Sequence, residues 1–74
     1  MPITDENERI FYKQMAQTIR NTRHEYGISE RRMSMIMKIP LAQYQMLESG
    51  NAIITAYDFF QIRNAFTVIL HNAE

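Results

Sequence analysis

The small number of helix-breaking residues limits the possible folds of this chain more than any other feature of its sequence. Its only prolines and glycines are Pro2, Gly27, Pro40 and Gly50. Between them, apolar residues recur three or four positions apart, which is the period of an α-helix. Glycine favours the end of a helix, and proline disfavours helix at the residue before it, so these positions predict where helices stop. The sequence therefore predicts an all-α domain of four to five helices.

The first helix is expected from about residue 5 to residue 26. Thr4 is a suitable N-cap, and the acidic residues after it suit the positive end of the helix dipole. Gly27 then provides a C-terminal stop. The expected apolar stripe contains Phe11, Met15, Ile19, Thr22 and Tyr26, widened by Ile10, Tyr12 and Ala16.

Two shorter helices are expected between residues 29 and 49. Ser29 is a good N-cap, and Ile28 and Met33 have the spacing of a hydrophobic staple across the helix start. Pro40 ends the first of the two helices, and a glycine ends the second. The expected buried face of the first helix consists of Met33, Ile36 and Met37.

A fourth helix is expected from about residue 55 to residue 66. Thr55 and Asp58 have the spacing of a capping box, with aspartate in place of the usual glutamate. Residues 67–74 form a short apolar tail, for which a last helix and an extended strand are both open. The apolar set expected for this helix is Phe59, Phe60, Ile62, Ala65 and Phe66.

Length and composition narrow the classes of function. The 74 residues suffice for one domain with a modest core. The lack of cysteine excludes disulfides and cysteine-based metal sites, and two histidines alone do not indicate a zinc site. No nucleophile–base pair or phosphate-binding loop is found, so we expect no enzyme, cofactor or metal. Without a secretory signal or an apolar run of about 18 residues, we expect a cytoplasmic protein and no membrane partner.

The charges are unevenly distributed, although the formal net charge is zero. Residues 13–38 contain six basic and two acidic side chains, a net charge of +4, and the segments before and after them each carry −2. DNA phosphates attract cations, so a basic middle segment is compatible with a nucleic-acid partner. An ordinary solvated surface shows similar fluctuations, and the charge pattern alone leaves both interpretations open.

The segment from Gly27 to Gly50 resembles the helix-turn-helix of the Cro/CI-type (XRE, lambda-repressor-like) DNA-binding family. The entry Gly27-Ile28-Ser29, the small residue Ser34 and the exit Glu48-Ser49-Gly50 stand at the spacing of that motif. The resemblance extends from Arg23 to about Val68. It implies a small lambda-repressor-like bundle and a sequence-specific DNA-binding transcriptional regulator of the phage, plasmid or bacterial repressor type. The motif's apolar core positions fall on Met33, Ile36, Met37, Ile39, Tyr44 and Leu47.

The same resemblance implies a structural role for Arg23 and Glu48. In the family, an arginine at the end of the first helix commonly pairs with the glutamate that precedes the exit glycine. An arginine fork holds a carboxylate with two hydrogen bonds. We therefore expect an ion pair that fixes the recognition helix against the first helix.

In relatives, the second helix of the motif lies in the major groove of double-stranded DNA. Glutamine pairs with adenine, and small apolar side chains contact the thymine methyl, so the residues here favour an A·T-leaning site. The positions from which relatives touch base edges are Leu41, Ala42, Gln43, Gln45 and Met46. The residues expected at phosphates are Arg20, Arg31, Arg32, Lys38, Ser49 and Asn51.

Several positions depart from the family pattern. Leu41 and Met46 stand where relatives often have polar or basic residues, and Glu30 stands where they often have a phosphate-binding glutamine. Lys38 replaces the turn glycine, and Pro40 replaces the usual capping residue. These departures leave an alternative function open: a protein-interaction module or anti-regulator that retains the fold and binds a protein through the apolar face of the recognition helix.

We also expect a homodimer, because repressors of this type read two half-sites related by two-fold symmetry. A short domain has little interior left for more large apolar groups after the fourth helix. The tail is therefore expected at the dimer interface, through Phe66, Val68, Ile69 and Leu70. The first helix, with Ile10, Phe11 and Tyr12, is a rival surface, and packing of both ends within one monomer is a third interpretation.

Overall fold

The computed structural model describes residues 6–72, which form four α-helices. They are α1 (Glu6–Glu25), α2 (Glu30–Met37), α3 (Leu41–Glu48) and α4 (Ala56–Asn72). No strand occurs in residues 6–72, so the all-α class is confirmed for that range. Helix α2 packs against α3 and α4, and α3 also contacts α1. The N-cap expected at Thr4 lies outside the described residues.

Side chains cap the starts of α2 and α4 as the sequence predicts. The Arg32 N–H donates to Ser29 Oγ at 3.1 Å, which caps α2. The Thr55 N–H donates to Asp58 Oδ2 at 3.1 Å, and the Asp58 N–H donates to Thr55 Oγ1 at 3.0 Å. The capping box is therefore present, and aspartate performs the role of the longer glutamate.

The connections before and after α2 depend on left-handed backbone. Gly27 has φ +64°, and the following Ile28 N–H donates to the carbonyl of Arg23 at 3.0 Å, which closes the end of α1. Lys38 has φ 59° and ψ 43° and ends α2 in the same conformation. Pro40 is the N-cap of α3 and lies outside its first turn. A three-residue turn thus joins α2 to α3.

One buried cluster joins the four helices. Met33 of α2 and Tyr44 of α3 are completely buried, and Ile28 packs beside them, so the staple predicted at the start of α2 contributes to the core. Half-buried against this cluster are Ile36, Met37 and Ile39. The other buried members are Ile19, Leu47, Ile54, Ile62, Ala65 and Ile69.

The stripe predicted for α1 is only partly the one that is buried. Ala16, Ile19 and Arg23 face the core, whereas Phe11 is 53% exposed and Tyr26 is 50% exposed. The middle of the expected stripe is confirmed, because Ile19 is buried and Met15 packs against the core. The prediction is wrong at the two ends of the stripe, since the buried side of α1 runs through Ala16, Ile19 and Arg23 and leaves Phe11 and Tyr26 outside it.

The prediction for the fourth helix needs three corrections. The helix does not end near residue 66 but continues to Asn72, so the described part of the tail is helical. Phe59 and Phe60 are exposed and do not belong to the core. Ile69 is buried inside the monomer, because residue 69 lies on the same helical face as the buried residues 62 and 65. The other residues expected at the dimer interface are half-buried: Phe66, Val68 and Leu70.

None of the helices within residues 6–72 combines the length and the apolar character that a membrane crossing requires.

Candidate nucleic-acid interface

Helix α3 has one buried side and one exposed side, divided as the sequence predicts. Tyr44, Leu47 and Glu48 are buried. Of the residues expected to read bases, Leu41 is half-buried, and the others are exposed: Ala42, Gln43, Gln45 and Met46. The four-residue spacing from Ala42 to Met46 places them on one stripe of the helix. The exposed side formed by these four residues is called the α3 outer face below.

A buried ion pair fixes the inner side of α3 to α1. Arg23 Nε donates to Glu48 Oε2 at 2.7 Å, and Arg23 Nη2 donates to Glu48 Oε1 at 3.2 Å. The expected ion pair between Arg23 and Glu48 is therefore present and two-pronged. The hydrogen bonds to Glu48 raise the pKa of Arg23 above its ordinary value, which keeps the guanidinium charged in spite of its burial.

Arg23 also contacts residues at and just beyond the end of its own helix, α1. Its Nη1 donates to the carbonyl of Ile28 at 2.9 Å, and its Nη2 lies 3.1 Å from His24 Nε2. One guanidinium thereby connects the end of α1, the entry to α2 and the end of α3. A buried charge that is hydrogen-bonded on several sides resists displacement, so α3 has a defined orientation.

Arg20 lies at α3 rather than free in solvent. Its guanidinium donates through Nη1 to the carbonyl of Glu48 and through Nη2 to Gln17 Oε1 at 2.6 Å. A cation at the C-terminal end of a helix satisfies an unpaired carbonyl and suits the helix dipole. This side chain therefore caps α3 in the free domain, and the phosphate contact expected of Arg20 stays a prediction. The sequence carried a signal for this role, because Arg20 precedes Arg23 by almost one helical turn.

Ser49 is also engaged within the domain. Its hydroxyl donates to the carbonyl of Met46 at 2.7 Å and accepts the N–H of Asn51 at 3.0 Å. These bonds shape the exit from α3, where Gly50 approaches α1 closely. The phosphate contact expected of the Ser49 hydroxyl would compete with these two hydrogen bonds. The exposed side chain of Asn51 makes no hydrogen bond within residues 6–72.

Three cations remain exposed on and after α2. Arg31 and Arg32 lie on the first turn of α2, and Lys38 follows its last turn. No hydrogen bond or ion pair within the described range engages these three side chains. Met35, also on α2, is 69% exposed. Of the six residues expected at phosphates, four have exposed side chains that make no hydrogen bond or ion pair within residues 6–72: Arg31, Arg32, Lys38 and Asn51.

The hydroxyl of Tyr44 was not recognised from the sequence as unusual. The side chain is completely buried, and its oxygen has no hydrogen-bond partner within residues 6–72. Burial raises the pKa of Tyr44 far above its ordinary value, and the nearby carboxylate of Glu48 acts in the same direction. The hydroxyl group of Tyr44 therefore stays protonated and neutral. The ring of Tyr44 packs on the buried side of α3, opposite the α3 outer face.

Comparison of the chain with family models, with curated proteins and with solved structures gives no match. Within residues 6–72, no group of three or more histidine, aspartate or glutamate side chains is arranged to hold a metal ion. The candidate interface therefore rests on the geometry of α2 and α3 themselves.

Proposed function

We propose that this protein is a sequence-specific DNA-binding transcriptional regulator in which α2 and α3 act as a helix-turn-helix. The observation that carries the proposal is the two-sided construction of α3. Its inner side is fixed by the buried Arg23–Glu48 pair, and its outer face is exposed. A recognition helix needs both properties, since base contacts require a free face in a fixed orientation.

Different residues of α2 and α3 contribute to affinity and to specificity. Arg31, Arg32 and Lys38 supply cations for phosphate contacts, which provide affinity without sequence information. Gln43 and Gln45 supply amide groups, which form paired hydrogen bonds with adenine in the major groove. This division favours a duplex over a single strand as the partner, because α2 and α3 carry no exposed aromatic ring on which a base could stack.

The decisive experiment is the selection of bound sequences from a random duplex pool, followed by titrations at several salt concentrations. We expect an enriched motif and an affinity that falls steeply with salt. Replacing Arg31 and Arg32 together with glutamine should reduce the salt slope by about one unit for each phosphate that is no longer bound, with the enriched motif unchanged. Gln43→Ala and Gln45→Ala should instead change the motif, because they remove base contacts.

Arg9→Gln is the matched control, since Arg9 is an exposed arginine on α1, outside both helices of the motif. Its salt slope should equal that of the native protein. The absence of an enriched motif, together with no retention on duplex DNA at low salt, would contradict the proposal.

A protein-binding role is the second candidate, and the composition of the α3 outer face favours it. That face carries no charged side chain, Met46 is 56% exposed, and Met35 on α2 is 69% exposed. Flexible methionine side chains adapt to apolar partners. A protein that fails the duplex selection but retains a partner through Met46, and no longer does so in Met46→Lys, would support this alternative.

A further inference from the structure

The methionine side chains of this domain differ widely in their exposure to solvent. The sequence contains six methionines and no cysteine, so methionine supplies all of its sulfur. Met33 is completely buried in the core, whereas Met46 is 56% and Met35 is 69% exposed. Met15 and Met37 lie between these extremes, half-buried against the core.

Exposure determines which of these thioethers an oxidant in solution reaches. The sulfur lone pair attacks one oxygen of hydrogen peroxide, the O–O bond breaks and water leaves, so sulfur loses two electrons and the peroxide gains them. The product, methionine sulfoxide, is polar where the thioether is apolar. In the folded domain, Met35 and Met46 are therefore the accessible sites of this reaction, and Met33 is protected.

The position of Met46 gives its oxidation a consequence that oxidation of Met35 lacks. Met46 is the large apolar side chain of the α3 outer face, and Met35 lies on α2, outside that face. Gln43 precedes Met46 by three residues, and residues at this spacing are neighbours on a helix surface. A sulfoxide oxygen accepts hydrogen bonds, so it competes with adenine for the amide N–H groups of Gln43. It also replaces an apolar group that suits the thymine methyl.

The backbone at Met46 is held independently of its side chain. The Met46 carbonyl accepts the Ser49 hydroxyl at 2.7 Å and the Ser49 N–H at 3.2 Å. On the inner side of α3, Tyr44 and Leu47 are buried. An oxygen atom added to the exposed thioether therefore changes the chemistry of the outer face and leaves α3 in place.

We propose that Met46 is a site of reversible oxidation by peroxide, and that its sulfoxide form weakens duplex binding by the α3 outer face. The effect on binding rests on the proposed function, whereas the selective oxidation does not. Methionine sulfoxide reductases return the sulfoxide to the thioether, which makes the modification reversible.

Peroxide treatment of the full chain, followed by tandem mass spectrometry, tests the selectivity. We expect Met35 and Met46 to gain oxygen first, Met15 and Met37 more slowly, and Met33 last. Circular dichroism should not change while only the two exposed residues are oxidised. Oxidation of Met33 as fast as that of Met46 would overturn the inference.

Duplex titrations before and after treatment test the effect on binding. For the native protein we expect oxidation to weaken binding to its selected motif at least about tenfold, the size of one lost base contact. Met46→Leu should bind equally well before and after treatment, because leucine keeps the apolar group without the sulfur. Met35→Leu is the matched control and should stay as sensitive as the native protein. Treatment of the oxidised protein with a methionine sulfoxide reductase and a dithiol should restore binding.

Comparison of untreated with treated protein separates this inference from the proposed function. An untreated chain that retains no duplex would contradict the proposed function and, with it, the effect on binding. Two results would overturn the inference alone: duplex binding that persists after Met46 is oxidised, and Met46→Leu protein that remains sensitive to peroxide.

Discussion

At the scale of single residues, the side chain of Tyr44 combines close packing in the core with an unfavourable environment for its hydroxyl group. Its ring fills the space beneath the helix, but its hydroxyl lies in the interior without a hydrogen-bond partner in the described part of the chain. An unmade hydrogen bond in the interior costs free energy. Burial also raises the pKa of Tyr44, so the folded state retains a proton that the unfolded chain releases in alkali.

We expect Tyr44→Phe to leave the free energy of unfolding unchanged or increased at pH 7, because it removes an unpaired polar atom. Above about pH 10 the native protein should lose up to ~1.4 kcal/mol per pH unit through this group, since the folded pKa exceeds the unfolded one. Tyr44→Phe should lose stability less steeply there. Urea unfolding across this pH range measures both effects, with Tyr57→Phe as an exposed control. Equal slopes for native protein and Tyr44→Phe would contradict the prediction.

At the scale of elements, the contact between α1 and the end of α3 sets the position of α3 in the domain. Gly50, just after α3, has φ +81°, and a Cβ atom built there would lie 3.3 Å from Lys13 Cα and 3.2 Å from Lys13 Cγ. A side chain at residue 50 would therefore force Lys13 or the end of α3 to shift by a few tenths of an ångström. Together with the Arg23–Glu48 pair, this approach holds α3 against α1.

The two glycines provide a matched test of that contact. Gly27 has φ +64°, but a Cβ atom there would meet nothing within 4 Å. Gly27→Ala should therefore cost about 1 kcal/mol through left-handed backbone strain alone. Gly50→Ala should cost more, about 2 kcal/mol or above, because the α1 backbone also has to move. Thermal unfolding of both variants measures the difference. Equal costs would show that the α1–α3 approach is not tight.

At the scale of the whole molecule, the continuation of α4 to Asn72 joins the chain's last described turns to its core. Ile69 packs in the same cluster as Ile19 of α1 and Tyr44 of α3. A domain of this size is stable by only a few kcal/mol, so a single core position near the chain end affects every helix.

Ile69→Ala should therefore destabilise the domain as a unit, by about 2–4 kcal/mol, through reduced burial and the cavity left behind. The exposed Thr67→Ala, two residues earlier on α4, should change stability by less than about 0.5 kcal/mol. Denaturant unfolding followed by helical circular dichroism and by tyrosine fluorescence should give coincident transitions. Loss of the α4 signal alone, with the other helices intact, would contradict this cooperativity.

Sequence was sufficient to predict the features that depend on neighbouring residues. The cap at Ser29, the capping box at Thr55 and the helix end near Gly27 were all predictable, because turn chemistry acts within four residues. The two sides of α3 were predictable for a similar reason, since helical period alone separates Tyr44 from Met46. The pairing of Arg23 with Glu48 was expected through the family resemblance rather than from local chemistry.

Which apolar positions became the core depended on contacts between residues distant in the chain. The period of a helix permits overlapping apolar stripes, and the period alone does not separate the exposed Phe11 and Phe59 from the buried Ile19 and Ile62. The choice depended on partners distant in the chain: Arg23 could turn inward because Glu48, 25 residues away, neutralises it. A charged side chain is tolerated in the interior only where the fold places an oppositely charged side chain beside it.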